Sequence, residues 1–356
     1  MKYMKTFQNR IQIAVNTRIL GSHLTGAQRY TLELLSRFGN KVEVIKPSAP
    51  MHGVIGHAWE QLVLPGQLRG KLLFSPSNTG PLAVKNQVLT IHDVVPLDHP
   101  EWLNPRFATW YQFLIQKLAK RVAHVLTVSE FSKQRLLAHV PMDEHRITVT
   151  LNGVDKKLHP MSRSEVSTSL SVLQLPSQNY VLCVGSIEPR KNIARLIKAW
   201  SLVQHDIPDD TWLILTGHKG NARVFADVAG LSTLPPRVHL TGHVDDEQLP
   251  ALYAGATAFV YPSEYEGFGL PPLEAMASGV PVLTGNMTAL PEVIGDAGLM
   301  VDPFDVEAIA DGLKRIILDS RLREELRMRG LERAKRFTWD ATAEDTWNIL
   351  QQVANE

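Results

Sequence analysis

Two glutamates eight positions apart flank a loop that could bind an anion. Glu266 lies in a polar, glycine-containing segment after the apolar run Ala258–Tyr261. Pro271 and Pro272 follow, and because proline is tolerated where a helix opens, they predict a helix with Glu274 in its first turn. Three backbone amides would then be exposed at the positive end of the helix dipole, those of Phe268, Gly269 and Leu270. A nucleotide sugar, which joins an anion to hydroxyl groups, would suit this arrangement.

Two adjacent cations, Arg190 and Lys191, follow a second strand-like run, Tyr180–Val184. They lie in the segment GSIEPRKN (185–192), just before a predicted helix. A cation at a helix start opposes the helix dipole, so an anionic group should compensate it. Arginine and lysine beside free helix amides could neutralise a leaving diphosphate, as a metal ion would.

In the first half of the chain, His92 and Asp93 follow the apolar run at 88–91. His92 could approach a bound sugar, and Asp93 could fix the tautomer of His92 or hold a loop. Gly26, after the first predicted strand, would allow close approach of a phosphate or sugar to the backbone.

Each of these features also has a structural explanation. Glycine-containing loops occur throughout doubly wound proteins, and an acid near a helix start complements the dipole. The Arg190–Lys191 pair could be a solvated surface pair, and a histidine at a strand end is often a satisfied polar group. These alternatives stay open at this point.

The charge of the chain is unevenly distributed, although its net value is only +1. Residues 1–160 carry 20 basic and 10 acidic side chains, whereas residues 161–356 carry 17 basic and 26 acidic ones. The first half could therefore meet an anionic partner, such as a membrane face, a diphosphate-linked acceptor or nucleic acid. Alternatively, the two halves could attract each other across a cleft.

Composition excludes several classes of protein. The 356 residues, 44% hydrophobic and 21% charged, indicate a globular protein of two domains. The single cysteine, Cys183, lies in an apolar run, which excludes an internal disulfide and a thiolate zinc cluster. The motifs HExxH, GxGxxG, GxxxxGK[ST] and GxSxG are not found. No apolar segment spans a bilayer and no signal peptide is recognised, so we expect a cytoplasmic protein.

Apolar runs with strand composition alternate with helical stretches along the chain. The runs lie at 11–15, 42–45, 72–74, 88–91, 125–128 and 147–151, and again at 180–184, 212–215, 238–240, 258–261, 282–283 and 299–301. Because near-continuous apolar strands are typical of parallel sheets covered on both faces, this pattern predicts an α/β protein. We expect two Rossmann-like, doubly wound domains, at 1–165 and 166–337, that face each other across a cleft. A helix at 338–356 is expected to pack back on the first domain.

Seven segments, in chain order, are similar to those of one known family, the retaining glycosyltransferases of family four. The glutamates of EGFGLPPLE resemble that family's pattern of two glutamates separated by seven residues. The other segments are TGAQRY (25–30), IHD (91–93), TVSEFSK (127–133), LNGVD (151–155), GSIEPRKN (185–192) and ALPEVIGDAG (289–298). The resemblance covers almost the whole chain. It implies a GT-B architecture, with an acceptor-side domain followed by a nucleotide-sugar domain, and sugar transfer with retention of anomeric configuration.

The resemblance also implies roles for individual residues. Arg190 and Lys191 would hold the diphosphate, and Glu266 would orient the donor sugar. Glu274 would accept from the ribose hydroxyls, and Val244 would offer backbone contacts to the base. Where many relatives carry a second glycine near the diphosphate, this chain has Gly26-Ala27-Gln28. The implied catalytic residues are His92, Arg190, Lys191 and Glu266. The implied donor-binding residues are Gly26, Asp93, Ser186, Val244, Phe268, Gly269, Leu270 and Glu274.

We therefore expect a hexosyltransferase of polysaccharide biosynthesis that needs no metal ion or other cofactor, with UDP-glucose favoured as donor and GDP-mannose next. The acceptor would be a saccharide or a lipid-linked saccharide, and no nucleic acid is expected as a partner. The basic, aromatic segment 102–120 could touch the inner face of the cytoplasmic membrane, or be an ordinary amphipathic helix. Two other functions stay open: a nucleotide-sugar 2-epimerase of the same architecture, and a non-catalytic nucleotide-sugar-binding subunit.

Overall fold

A computed structural model describes residues 13–21, 25–217 and 234–356. Its first six strands form one parallel sheet in the order β2-β1-β3-β4-β5-β6. They are β1 Ile13–Asn16, β2 Val42–Ile45, β3 Leu72–Ser75, β4 Gln87–Ile91, β5 His124–Thr127 and β6 Ile147–Val149. The predicted first strand, at 11–15, begins outside the described residues. The strands β1, β3, β4 and β5 are buried along their whole length, as their apolar composition requires.

The other six strands form a second parallel sheet in the order β12-β11-β10-β7-β8-β9. They are β7 Tyr180–Val184, β8 Trp212–Thr216, β9 Val238–Gly242, β10 Ala258–Tyr261, β11 Val282–Gly285 and β12 Leu299–Val301. The strand order reverses between β7 and β10. In doubly wound sheets, ligands bind beyond the carboxyl ends of the strands at such a reversal. Both GSIEPRKN and EGFGLPPLE begin at that point.

Helices cover both sheets, as predicted. Those before the second sheet are α1 Gly26–Phe38, α2 Gly53–Leu62, α3 Leu64–Gln67, α4 Val95–Asp98, α5 Pro105–Arg121, α6 Glu130–His139 and α7 Arg163–Leu170. Those that follow β7 are α8 Ile193–Val203, α9 Leu249–Ala254, α10 Leu270–Ala277, α11 Leu290–Ile294, α12 Val306–Leu318, α13 Ser320–Ala334 and α14 Trp339–Asn355. The predicted domain boundary at residue 165 falls inside α7. Helix α7 packs on the core of the second sheet through Leu170.

The last helix, α14, packs back on the first sheet, as predicted. Trp339 and Leu350 are buried in one cluster with Val15 of β1 and Tyr30 of α1. The returning chain crosses Gly153, where an added Cβ would lie 2.0 Å from the backbone nitrogen of Trp339. The segment LNGVD therefore forms the part of the first domain against which the returning chain packs at Trp339.

Candidate active site

Two loops meet at the carboxyl edge of the second sheet. One follows β7 and ends in a 3-10 turn, Pro189–Lys191, and the other follows β10 from Pro262 to Gly269. The carbonyl of Arg190 accepts from the Oγ of Ser263 and the backbone nitrogen of Glu264, both at 2.8 Å. These hydrogen bonds hold the two loops side by side.

Glu266 is buried between these loops, with its carboxylate surrounded by donors. Its Oε1 accepts from Lys191 Nζ at 2.5 Å, Tyr261 Oη at 2.9 Å and Ser263 Oγ at 3.0 Å. Its Oε2 lies 3.1 Å from Arg190 Nη1. Burial raises the pKa of Glu266, but the charges of Lys191 and Arg190 outweigh it and lower the pKa to about 2. The carboxylate is therefore ionised at neutral pH.

The predicted anionic compensation of Arg190 and Lys191 comes from carboxylates of the protein. Arg190 Nε donates to Glu188 Oε2 at 2.8 Å, and both cations contact Glu266. Lys191 also donates to the hydroxyl of Tyr261. Burial lowers the pKa of Lys191, and the charge of Arg190 lowers it further. Two cations and two carboxylates thus form one compact, charge-balanced group.

Glu274 lies in the second turn of α10, not the first as predicted from the sequence. The helix begins one residue before the prolines, at Leu270, because Gly269 (φ 110°) turns the chain just ahead of it. The Glu274 side chain is buried and both oxygens are engaged, Oε1 by Arg29 Nη1 and Oε2 by Tyr253 Oη, each at 2.8 Å. Burial raises the pKa of Glu274, while the charge of Arg29 opposes that rise.

The start of α10 is more enclosed than the sequence indicates. Phe268 is buried against Phe337, with ring centroids 5.9 Å apart. A Cβ at Gly269 would lie 2.8 Å from a methyl carbon of Leu290. Phe268 and Gly269 are therefore buried rather than exposed, while Leu270 is half-buried.

The start of α1 meets the start of α10. Gly26 is the first residue of α1, and a Cβ added there would lie 3.5 Å from Leu270 Cδ1, an ordinary contact. The starts of two helices, one from each domain, are therefore neighbours at this site.

His92 is half-buried at the carboxyl end of β4. Its Nε2 lies 3.0 Å from the carbonyl oxygen of Pro76, which can only accept, so Nε2 carries the proton. Burial lowers the pKa of His92, which keeps the ring neutral at pH 7. Asp93 accepts from the backbone nitrogen of Val95 at 3.2 Å and so holds a loop, one of its two predicted roles. Pro76, not Asp93, fixes the tautomer.

The loop that carries Glu266 presses directly on His92 and Asp93. A Cβ at Gly267 would lie 2.2 Å from the carbonyl oxygen of His92 and 2.9 Å from the Cβ of Asp93. Only glycine permits this approach. The structure therefore brings His92 and Asp93 of the first domain against the loop of the second domain that carries Glu266.

The other two predicted donor-binding residues lie in loops of the second domain, after β9 and after β7. Val244 is buried in the core of the second domain, in the loop after β9. Ser186 is half-buried in the loop after β7, where its backbone nitrogen faces Gly217. The Val244 loop reaches the site through Asp246, whose Oδ1 lies 3.5 Å from Arg29 Nη2.

Sequence reasoning missed several residues that build the site. Arg29 lies one helical turn after Gly26, a spacing that could have revealed it. Tyr265, next to Glu266, is buried among first-domain residues, with its hydroxyl donating to Asp98 at 2.8 Å. Tyr253 was also missed, and nothing in its sequence context singles it out. Glu292 was missed although it lies in ALPEVIGDAG, one of the segments similar to the family.

Residues 13–21, 25–217 and 234–356 contain neither a cluster of metal-ligating side chains nor a membrane-spanning helix. Within these ranges, no three or more His, Cys, Asp or Glu side chains cluster as a metal site would. No helix of the same ranges has both the length and the apolar character needed to cross a bilayer.

The fold and the position of the site define a GT-B protein, in which two doubly wound domains share a site between them. HepE from Anabaena, solved in complex with UDP and glucose, matches with a TM-score of 0.74. The match covers 96% of this chain and 99% of that one, at 18% sequence identity.

The sequence itself matches two family models, Glycosyltransferase Family 4 over residues 73–158 and Glycosyl transferases group 1 over residues 171–333. The O-antigen chain mannosyltransferase B of Escherichia coli is 38% identical over 272 residues, which are 76% of this chain and 71% of that protein. The serotype-specific mannosyltransferase WbdA of Escherichia coli is 31% identical over 72% of this chain, but the match spans only 32% of its own length. The chain belongs to the family-4 glycosyltransferases.

Proposed function

We propose that this protein is a retaining hexosyltransferase that moves mannose from GDP-mannose to a saccharide, free or lipid-linked, during polysaccharide assembly. The observation that carries the proposal is the buried carboxylate of Glu266 between Lys191 and Arg190. Two similar proteins of Escherichia coli are named mannosyltransferases, one of them of the O-antigen chain. Their names favour mannose over glucose, so GDP-mannose replaces UDP-glucose as the first candidate donor and UDP-glucose becomes the second.

Arg190 and Lys191 would supply the positive charge that a departing nucleoside diphosphate needs. As the bond to the sugar breaks, negative charge grows on the β-phosphate and positive charge on the sugar ring. The two cations and the Glu266 carboxylate are in direct contact, so phosphate and sugar would be held side by side. In this proposal the cations do the work of a metal ion, and neither a metal nor another cofactor takes part.

Retention requires either an enzyme nucleophile or attack from the face that the leaving group departs from. Glu266 is a poor nucleophile and a weak base, because its Oε1 accepts three hydrogen bonds and its pKa is about 2. This supports a same-face reaction in which the leaving phosphate takes the proton of the acceptor hydroxyl. Detection of a glycosyl-enzyme adduct by mass spectrometry would contradict it.

A panel of donors, acceptors and two variants tests the proposal. GDP-mannose should raise the thermal stability more than UDP-glucose or ADP-glucose does, because a ligand that binds only the folded state stabilises it. Turnover should require a saccharide acceptor and fall at least about a hundredfold in Glu266→Gln. The matched control is Glu264→Gln, since Glu264 pairs with Arg195 instead, and it should keep its activity.

Two outcomes of the same panel would replace the proposal. Conversion of the donor sugar without any acceptor would identify a nucleotide-sugar 2-epimerase. Donor binding that is unchanged in Glu266→Gln, with no turnover in the wild type, would identify a non-catalytic nucleotide-sugar-binding subunit.

Helix α5 supports a further part of the proposal, a peripheral contact with an anionic membrane face that presents a lipid-linked acceptor. Its apolar face is buried in the first domain. Of the aromatic residues of segment 102–120, which are Trp102, Phe107, Trp110, Tyr111 and Phe113, only Phe113 is exposed. The contact would therefore be electrostatic, through the exposed basic residues Lys117, Lys120 and Arg121. Flotation with anionic liposomes at low salt should show binding, and its absence would remove this part.

A further inference from the structure

Arg29 is a first-domain side chain that reaches into the second domain at Glu274. It lies one turn after Gly26, on the same face of α1. Its Nη1 donates to Glu274 Oε1 at 2.8 Å, and its Nη2 lies 3.5 Å from Asp246 Oδ1. The Arg29 side chain is 21% exposed and the Glu274 side chain 9% exposed, so the pair is shielded from solvent.

The two partners of Arg29 belong to the two segments that would hold the nucleoside. Glu274 would accept from the ribose hydroxyls, and Asp246 lies two residues after Val244, which would contact the base. A single guanidinium from the first domain therefore bridges the ribose segment and the base segment of the second. A planar guanidinium suits this bridging, because its donors are fixed in a fork that can serve two acceptors at once.

The hydrogen bonds at Glu274 leave room for a ligand. A carboxylate offers about four lone-pair sites. Arg29 occupies one site on Oε1, and Tyr253 occupies one on Oε2. Both oxygens thus keep capacity for the hydroxyls of a ribose while their existing donors fix the plane of the carboxylate.

We infer that Arg29 is a positioning residue for the nucleoside half of the donor, holding Glu274 and the Val244–Asp246 loop in place from the opposite domain. The inference rests on the proposed function, which makes Glu274 the ribose acceptor. Arg29 stays on Glu274 when the donor binds. Recognition of the ribose is thereby coupled to the approach of the first domain, which supplies the guanidinium.

The test is steady-state kinetics with GDP-mannose and with its 2′-deoxyguanosine analogue in three variants. Arg29→Gln should raise the KM for GDP-mannose about tenfold or more with a smaller change in kcat, since it removes a charged hydrogen bond to the ribose acceptor. It should also bring the preference for ribose over deoxyribose close to one. Arg29→Lys keeps the charge on Glu274 and should restore part of that preference.

Arg37→Gln is the matched control, since Arg37 lies on the same helix but pairs with Glu33 and Asp340. It should leave both KM and the ribose preference unchanged. A ribose preference that stays at the wild-type value in Arg29→Gln would overturn the inference. Should Arg29→Gln fail to fold, Arg29→Lys carries the test, and an unaltered KM and preference in it would count against the inference in the same way.

A parallel variant, Glu274→Gln, separates this inference from the proposed function. Loss of ribose preference in Glu274→Gln, but not in either Arg29 variant, would overturn the role of Arg29 alone. If neither Glu274→Gln nor Arg29→Gln alters the preference, the ribose role of Glu274 and the inference fall together. A protein that turns over no nucleotide sugar at all would refute the proposed function instead.

Discussion

Glu266 is held in a state that makes it a poor proton-transfer group near neutral pH, whereas His92 is held as a neutral ring. Glu266 is ionised because Lys191 and Arg190 outweigh the effect of burial and bring its pKa to about 2. His92 is neutral because burial lowers its pKa, and its one ring proton lies on Nε2, which donates to the carbonyl oxygen of Pro76. Efficient acid–base groups have pKa values near the working pH. Glu266 is therefore better suited to orient a sugar than to move its protons, which agrees with the proposed same-face reaction.

Lys191→Met tests the electrostatic role of the lysine while keeping most of its volume. The change removes the ammonium charge of Lys191, which lies 2.5 Å from Glu266 Oε1. The same charge is proposed to face the leaving phosphate. We expect kcat/KM to fall by a factor on the order of 10²–10³, about 3–4 kcal/mol of transition-state stabilisation. Lys198→Met, on the exposed face of α8, is the control and should be close to wild type. Equal activity of the two variants would refute this role.

His92→Gln tests the pH dependence that burial imposes on stability. Because the folded-state pKa of His92 lies below its ordinary value of 6.5, the unfolded chain takes up the proton first as pH falls. The contribution of neutral His92 to the unfolding free energy is complete above the pKa of the unfolded state. It is lost as pH falls through the pKa of the folded state. The wild type should therefore lose more unfolding free energy than His92→Gln between roughly pH 7.5 and 5, measured by urea unfolding. If the unfolding free energies of the wild type and His92→Gln changed equally with pH, His92 would not be buried as described.

Part of this site could be predicted from the local sequence, and the rest could not, for physical reasons. Near-continuous apolar runs identify strands, so Tyr180–Val184 and Ala258–Tyr261 could be predicted to the residue. The loops that follow them could be predicted as well, since parallel strands carry their polar loops at one edge. The partner of Glu274 could not, because Arg29 is 245 residues away and only the approach of the domains joins them.

At the scale of elements, the loop between β10 and α10 is held by the first domain as much as by the second. The carbonyl of Gly267 accepts from the Oγ of Ser129 at 2.6 Å and the Oγ of Ser132 at 3.1 Å, both at the start of α6. Glu292, at α11, accepts from two backbone amides of the same helix start. The segment TVSEFSK therefore has a structural role in holding the loop that carries Glu266.

Tyr265 is the side chain that anchors this loop. Its ring is buried against Val95, Leu103 and Ala108, and its hydroxyl donates to Asp98, which also accepts from Arg135 at 2.5 Å. Two substitutions separate packing from hydrogen bonding. Tyr265→Phe removes only the hydroxyl and should cost about 1.5–3 kcal/mol of unfolding free energy, because the acceptor Asp98 is charged.

Tyr265→Ala empties the pocket and should cost about 3–5 kcal/mol. It should also lower kcat/KM at least tenfold, because the neighbouring Glu266 loses its support. Urea unfolding and donor kinetics on both variants check these values. Were Tyr265→Ala to keep wild-type kinetics, the anchor would have no influence on the site.

At the scale of the whole molecule, some of the unevenly distributed charges form ion pairs between the basic first half and the acidic second half of the chain. Arg29 pairs with Glu274 and Asp246, so some attraction does run from the basic half to the acidic half, one of the two explanations left open by the sequence. Asp340 of α14 pairs with Arg37 at 2.7 Å and Lys156 at 3.0 Å. The C-terminal helix is thus attached to the first domain by ion pairs as well as by apolar packing. The chain therefore connects the two domains both before and after the second domain.

The point where the chain returns to the first domain leaves no space for a side chain at Gly153. A Cβ there would meet the backbone of Thr338 and Trp339 at 2.4 and 2.0 Å, and backbone cannot rotate away as a flexible side chain can. Gly153→Ala should therefore displace the start of α14, lift Trp339 from its buried position and cost about 2–3 kcal/mol of unfolding free energy.

The matched control is Gly66→Ala in α3, where nothing lies within 4 Å of an added Cβ. That substitution should be neutral or raise stability by about 0.5–1 kcal/mol through helix propensity. Urea unfolding followed by tryptophan fluorescence distinguishes the two, and equal stability of both variants would mean that α14 is not held against the first domain through Gly153.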